Sequence, residues 1–582
     1  MFAARLNGEA NWNAAGETDR MRIWVGGRSP PKVRTLGAAG FVVGEVFETP
    51  GHSKLSPLAD PSVPSRQPWE LAQNLSRAHW GRYVAFLQGP AKATGVFRDP
   101  SGAFVCLVWS LGEGVYVVTS ELSLAPSFVQ PPQLALNWRN IARYLALPGA
   151  STTEPLFDGM AAVGPGELRM VGDGQAQSRL IWSPADFVSH EACDLSATGE
   201  ELVRRVDECT FALGSGYARL MVEVSGGLDS AIVAASLCET GLVPRVTDWL
   251  NRAGDRQEAD ERSYAQAVAD RIGVSLTVIP KPFTRLDVAT LAEMGATTWP
   301  AITASDAGSD RDASTRLIDS QAHGLVSGQG GDGVFFQMPS ALVFADAMRR
   351  NGPGTLFSSL LPDVARRTRQ SVWSVLRQVR AERLGRSPPE APSSTLISRD
   401  VRMEFKDAAH QWVLTARSQG VWPGKRLQIE ALANAQVYLD DSRRHRQADP
   451  LFPLLAQPVV ELCLAIPTPD LAGGAFDRLF ARRVFAARLP EVVRRRRSKG
   501  DMSAFFAHLV AHNLDTLRPH LLDGCLCEAG ILDRAMVERA LDAQQLIWTG
   551  KATEILWAVT VESWVRYWQG RAPDAAALNP RR

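Results

Sequence analysis

The stretch Met221-Val222-Glu223-Val224-Ser225-Gly226-Gly227-Leu228-Asp229-Ser230-Ala231-Ile232-Val233-Ala234-Ala235 decides the fold class. It reads as a short apolar strand running into an apolar helix, with two adjacent glycines and two hydroxyls at the junction. A helix N-terminus there offers unpaired N–H groups and a positive dipole end to phosphate oxygens. Gly226 and Gly227 let the backbone approach closely, and Ser225 and Ser230 add side-chain donors. The spacing is neither GxxxxGK[ST] nor GxGxxG, and no lysine follows the glycines to reach β and γ phosphates. Taken alone, the loop from Ser225 through Leu228 to Ser230 also fits a plain glycine turn with a serine cap. Asp229 argues for more, because an acid beside a phosphate loop repels its ligand unless a cation such as Mg²⁺ lies between them.

Outward from this loop, strand and helix patterns alternate. Residues 200–213 have helical apolar spacing, 218–224 read as a strand, 231–238 as a helix, 245–249 as a strand, 260–272 as a helix and 275–279 as a strand. Such alternation implies a parallel sheet with crossover helices. Further on, Gly324-Leu325-Val326-Ser327 leads into Gly328-Gln329-Gly330-Gly331-Asp332-Gly333, again an apolar segment ending in a glycine-dense turn with one carboxylate. In an open α/β sheet, loops at the carboxyl ends of strands gather at the ligand crevice. Asp332 is therefore expected to face Asp229 and share the cation; the competing role is a cap on the following helix.

The chain of 582 residues is too long for one ordinary core, so two or more domains are expected. A hydrophobic fraction of 45% and a charged fraction of 21% describe a globular protein. The 63 basic and 62 acidic residues leave a net charge of +1, which gives no general reason to expect a nucleic-acid partner. No basic stretch followed by a long apolar run opens the chain, and no segment supplies the roughly 20 apolar residues needed to cross a bilayer, so a cytoplasmic protein with no membrane partner is expected. Seven scattered cysteines fit a reduced compartment without a structural disulfide, and Cys525-Leu526-Cys527 is a poor metal site without a second pair or a nearby histidine.

Residues 20–185 read as short β runs separated by Gly, Pro and Asp turns, among them 40–47, 81–87, 103–109 and 114–119, with a helix at 138–147. A polar linker follows, so two domains are expected, 1–190 and 197–582. The pattern loosens between 350 and 400, where 364–384 are Arg-rich and mostly helical and 385–394 read as an exposed loop. Residues 403–570 read as mainly helical.

The motif Ser225-Gly226-Gly227-Leu228-Asp229-Ser230, paired with 327–335, resembles the synthetase domain of the asparagine synthetase family. The resemblance implies an α/β adenine-nucleotide alpha-hydrolase-like domain with a largely helical C-terminal part, binding ATP through 225–230 together with Gly328 and Gly330. It places Mg²⁺ on Asp229 and Asp332, while Gly333 stands where the family usually has a further acid. Trp80-Gly81-Arg82-Tyr83, Phe97-Arg98-Asp99-Pro100-Ser101-Gly102, residues 159–166 and Trp182 resemble the family's glutaminase-like N-terminal domain, an α+β, Ntn-type β sandwich. That domain uses a cysteine at the mature N-terminus as nucleophile, supplying both thiol and amine, whereas this chain has Phe2 and its first cysteine is the internal Cys106. Glutamine-derived ammonia is thus not the expected nitrogen source. Beta-lactam synthetase and the lasso peptide cyclases share this loss.

The segment 453–468 with Gly473-Gly474-Ala475-Phe476-Asp477-Arg478, Ala481-Arg482-Arg483-Val484-Phe485 and Arg497-Ser498-Lys499-Gly500 is similar to the lasso peptide cyclases. This implies adenylation of an Asp or Glu side chain in a precursor peptide, attack by the peptide's own N-terminal amine, and release of AMP with pyrophosphate. It also implies a leader peptidase and a leader-peptide-binding protein as partners. Lys499 matches the family's catalytic lysine before glycine, and an ammonium there suits charge building on phosphorus or on the tetrahedral carbon; a solvated charge run or a nucleic-acid patch is the alternative for 494–499. Arg478 and Arg482 lie one helical turn apart, suited to phosphate neutralisation or to packing near it. Glu461, in an otherwise apolar helix, either meets solvent or orients the peptide amine or a cation. The competing functions are an ammonia-dependent asparagine synthetase, a beta-lactam synthetase-like ligase, and tRNA modification, which the even charge disfavours.

Overall fold

A computed structural model describes residues 12–26, 30–49, 67–90, 93–131, 134–150, 153–172, 177–254, 260–386, 394–497, 500, 502–544, 546 and 550–571. A five-stranded parallel sheet lies at the centre of the C-terminal part, in the order Thr277–Pro280, Val246–Ala253, Leu220–Glu223, Gly324–Val326, Asp449–Leu451. Leu220, Met221 and Val222 are buried, and the helix Leu228–Glu239 that follows is apolar on all sides, as an inner crossover helix must be. The chain winds outward from the central strand through its second and third strands, then crosses back to lay down the fourth and fifth. Winding therefore reverses between Leu220–Glu223 and Gly324–Val326, and the carboxyl ends of those two strands release the two glycine-rich loops.

Residues 403–570 are mainly helical, as read, and the fifth strand is an addition that the sequence did not mark. Asp449–Leu451 is only three residues long and contains proline, so no alternation marks it; pairing with Gly324–Val326 creates it. Residues 103–106 are not a strand, which begins at Leu107 after a turn at Gly102 (φ +66°).

The N-terminal part contains a six-stranded antiparallel sheet and a three-stranded one. The strand His79–Gln88 shows why they stack. Tyr83, Ala85 and Leu87 point to one side, where Leu71, Ala72 and Leu75 of the helix Pro68–Ala78 cover them. Val84 points to the other, joining Val96 to Val108 of the second sheet. The helix Ala552–Gln569 then packs on this part, its Trp557 Nε1 donating to the Leu145 carbonyl at 3.3 Å.

Beneath the second glycine loop, the helix Pro423–Ala435 carries a wholly buried lysine. Lys425 Nζ donates to Gln428 Oε1 at 2.7 Å and to the Cys463 carbonyl at 3.1 Å, and Gln428 Nε2 donates to the Val334 carbonyl at 2.8 Å. Burial pulls the ammonium pKa down to about 7, against the opposing pull of its neighbours, led by Cys463 and Asp346. The unfolded chain therefore binds this proton more readily above about pH 7, so stability rises with pH there. Over about pH 7 to 8.5 the melting temperature of Lys425→Met is expected to rise less, or fall more, than that of the wild type; an equal slope in the variant contradicts the assignment.

Candidate active site

The first loop is shaped by its own hydroxyls. Ser225 Oγ and Ser230 Oγ lie 3.0 Å apart, the Ser225 N–H donates to Ser230 Oγ at 3.2 Å, and Ser230 Oγ donates back to the Gly227 carbonyl at 3.2 Å. Gly226 takes φ +80°, and a Cβ there would stand 2.8 Å from the Glu261 carbonyl. Gly227 caps the helix Leu228–Glu239 without any side-chain acceptor, leaving the first-turn N–H groups to the cleft.

The second loop folds directly against the first. A Cβ on Gly328 would lie 2.4 Å from the Ser230 nitrogen, and one on Gly331 would lie 2.4 Å from Asp229 Cγ. Gly330 takes φ +89° against Leu455. Close approach thus requires glycine at 226, 328, 330 and 331, and backbone conformation adds to it at 226 and 330. Gly331→Ala is expected to displace the Asp229 carboxylate and cut nucleotide-dependent turnover about tenfold or more with the protein still folded. Unchanged turnover in that variant rules out the requirement.

Arg478 joins the two acids. It caps the helix Leu479–Val484 in the left-handed region (φ +47°) and is 5% exposed. Its Nη1 donates to Asp229 Oδ2 at 2.7 Å and to Asp332 Oδ1 at 2.8 Å. Burial lowers the guanidinium pKa, but Asp229, Asp477 and Asp332 raise it by more, so the net shift is upward. Arg482, one turn along, donates to Asp477 Oδ1 at 2.7 Å and to the Val493 and Arg494 carbonyls at 3.2 and 2.8 Å, which pins the segment after residue 490 beside the cleft.

These residues line a cleft of about 680 Å³, within the ~300–1,000 Å³ range of small-molecule sites. Its lining brings together Ser225, Gly227, Leu228, Asp229, Ser230, Gly328, Gly330, Asp332, Arg478 and Arg482. It also includes residues without a sequence signal, Asn434 and Tyr438 from the helical layer and Pro148 and Gly149 from the N-terminal part. Arg496 and Arg497 close another side. Arg496 sits 4.1 Å over the Tyr264 ring, pairs with Glu261 at 2.6 Å and donates to the Gly226 carbonyl at 3.3 Å. Arg496 is one member of the run of four arginines, and only the fold distinguishes it from a solvated charge. Lys499 lies outside the described residues.

Glu461, expected to be catalytic, is not among the residues lining the cleft. The helix Gln457–Ala465 turns its Oε1 to accept from Trp182 Nε1 at 2.8 Å and from Gln457 Nε2 at 2.8 Å, so it ties that helix to the N-terminal part. Glu461→Gln keeps an acceptor oxygen there and is expected to change turnover by less than about threefold; a much larger loss restores the catalytic assignment. A second cavity, of about 520 Å³, lies at the amino ends of the same strands and is lined by Arg82, Tyr217, His323 and Asp449.

The donor set suits Mg²⁺: two carboxylates, with the rest of a six-oxygen shell left to phosphate and water. Among the described residues no group of three or more His, Cys, Asp or Glu side chains is arranged to hold a metal alone. Placement at the reversal of winding, on a helix N-terminus, is where an open α/β sheet binds nucleotides.

The asparagine synthase family model matches residues 216–568. The chain belongs to the asparagine synthase family. A search of curated proteins returns no match. Asparagine synthase family members are ATP-dependent carbon–nitrogen ligases that generally use Mg²⁺. The matched span begins just before the central strand and ends in the helix Ala552–Gln569, so it contains the sheet, both loops and the arginines of the cleft. Among the described residues no helix is long and apolar enough to cross a membrane.

Proposed function

We propose that this asparagine synthase family member is a lasso peptide cyclase, a macrolactam synthetase. ATP would lie with its phosphates on 225–230 and the glycines of 328–331, and the Asp or Glu side chain of a precursor peptide would attack the α-phosphorus and release pyrophosphate. The peptide's N-terminal amine then attacks the acyl-adenylate and expels AMP, leaving an isopeptide ring. The observation that carries the first half is the meeting of Asp229 and Asp332 on one cleft at the reversal of winding. The second half rests on the likeness of 453–500 to the cyclases.

The chain's own residues divide the work. The hydroxyls and helix N–H groups of the first loop orient the phosphates, and the arginines of the cleft balance their charge. Bound Mg²⁺ would neutralise the leaving pyrophosphate from Asp229 and Asp332. Lys499 supports the developing negative charge; its described neighbours Arg496 and Arg497 line the cleft, and the Gly500 N–H donates to Glu261 at 2.8 Å. No strong general base is required, since an α-amine with a pKa near roughly 8 is partly neutral at pH 7. Pro148 and Gly149 let the N-terminal part, read as a glutaminase-like domain, wall the cleft and keep water from the adenylate. A leader peptidase and a leader-peptide-binding protein are the proposed partners, in the cytoplasm.

Mg-ATP, the protein and a candidate precursor peptide test the reading. The proposal expects pyrophosphate, AMP and a peptide that has lost one water and its reactive N-terminal amine. Free asparagine formed from aspartate and ammonia, with the peptide untouched, identifies the ammonia-dependent synthetase instead.

A further inference from the structure

We propose that Arg478 is a stand-in for the divalent cation, a guanidinium that keeps the place between Asp229 and Asp332 until a polyphosphate draws it away. The inference deepens the reading of the cleft as a Mg-ATP site and rests on it. One nitrogen, Nη1, reaches both carboxylates, at 2.7 and 2.8 Å, so the oxygens a bridging metal needs already share one positive donor. The arrangement is built in, because Arg478 is 5% exposed and its left-handed backbone (φ +47°) is held at the start of a helix whose next basic residue, Arg482, is fixed to Asp477.

The chemistry gives this contact a consequence. Two carboxylates brought together at a partly buried site repel unless a positive charge lies between them. A guanidinium cannot lose its proton at any ordinary pH, so it cannot leave by titration. It can leave by exchange, because a polyphosphate offers a denser, bidentate anionic partner in the same cleft. Metal and guanidinium then compete for the same oxygens in the empty protein, and cooperate once phosphate has accepted the arginine. The divalent cation is thereby admitted with the nucleotide and excluded without it, which also keeps the two acids preorganised between turnovers.

The full chain titrated with Mn²⁺ alone, read by the electron paramagnetic resonance signal of the free ion, tests this independently of turnover. Wild type is expected to show no saturable binding below about 1 mM, and Arg478→Gln to bind at least about tenfold more tightly than wild type. Adding Asp332→Asn to Arg478→Gln is expected to abolish the gain. Arg478→Lys keeps a cation in place and is expected to bind Mn²⁺ as weakly as wild type, which covers the case of a glutamine variant that does not fold. The assignment is overturned if Arg478→Gln binds no more tightly than wild type, or if Arg478→Lys gains as much as Arg478→Gln. A protein that passes these metal-only tests yet binds no ATP analogue leaves the cation assignment standing and removes the adenylating reading.

Discussion

Asp332→Asn is expected to slow pyrophosphate exchange into ATP by about 10³-fold, close to 4 kcal/mol of lost transition-state stabilisation. The amide keeps the size and one oxygen of the carboxylate but loses its charge, and a cation held by two carboxylates then has one. Arg478 would remain with Asp229 and Asp477. The Asp332 side chain is 42% exposed, so the fold loses little, and the melting temperature is expected to stay within about 3 °C of wild type. Exchange within about fivefold of wild type removes Asp332 from the reaction.

Lys499→Met is expected to separate the two halves of the reaction. The adenylate is formed largely by orientation of the phosphates and neutralisation of charge, tasks shared by the loop N–H groups and the cleft arginines. Attack of the amine on the adenylate carbonyl builds one oxyanion that needs a cation beside it, and a neutral thioether offers none. Amide formation is expected to fall about 10³-fold, with pyrophosphate exchange reduced by less than about tenfold. Adenylate trapped by added hydroxylamine measures the first half, and product mass the second. Equal losses in both halves place the lysine on ATP instead.

The sequence made the centre of this molecule readable and left its periphery obscure, for physical reasons. Residues 225–230 and 328–332 stand out because a phosphate site on a strand-to-helix turn demands glycine where backbones nearly touch, at 2.4 Å for a hypothetical Cβ on Gly328 or Gly331. That requirement is local, so it shows in the local sequence. The strand Asp449–Leu451 owes its existence to a partner 125 residues earlier, Gly324 facing Asp449. No window of neighbouring residues contains that information. Glu461 is ambiguous for a related reason: a carboxylate in an apolar helix signals a special environment but not which one, and the indole of Trp182 reaches it from 279 residues away. Arg478 and Arg482 look equivalent by helical spacing. Tertiary contacts divide them, one bridging the two acids and the other holding carbonyls at 493 and 494.

On the proposed function, this cleft splits ATP between its α and β phosphorus atoms by attack of a peptide carboxylate. Mg-ATP and a candidate precursor peptide whose Asp or Glu side chain carries oxygen-18 decide whether it does. One labelled oxygen is expected in AMP as the peptide loses one water. Labelled oxygen in inorganic phosphate, with ADP as the nucleotide product, contradicts it.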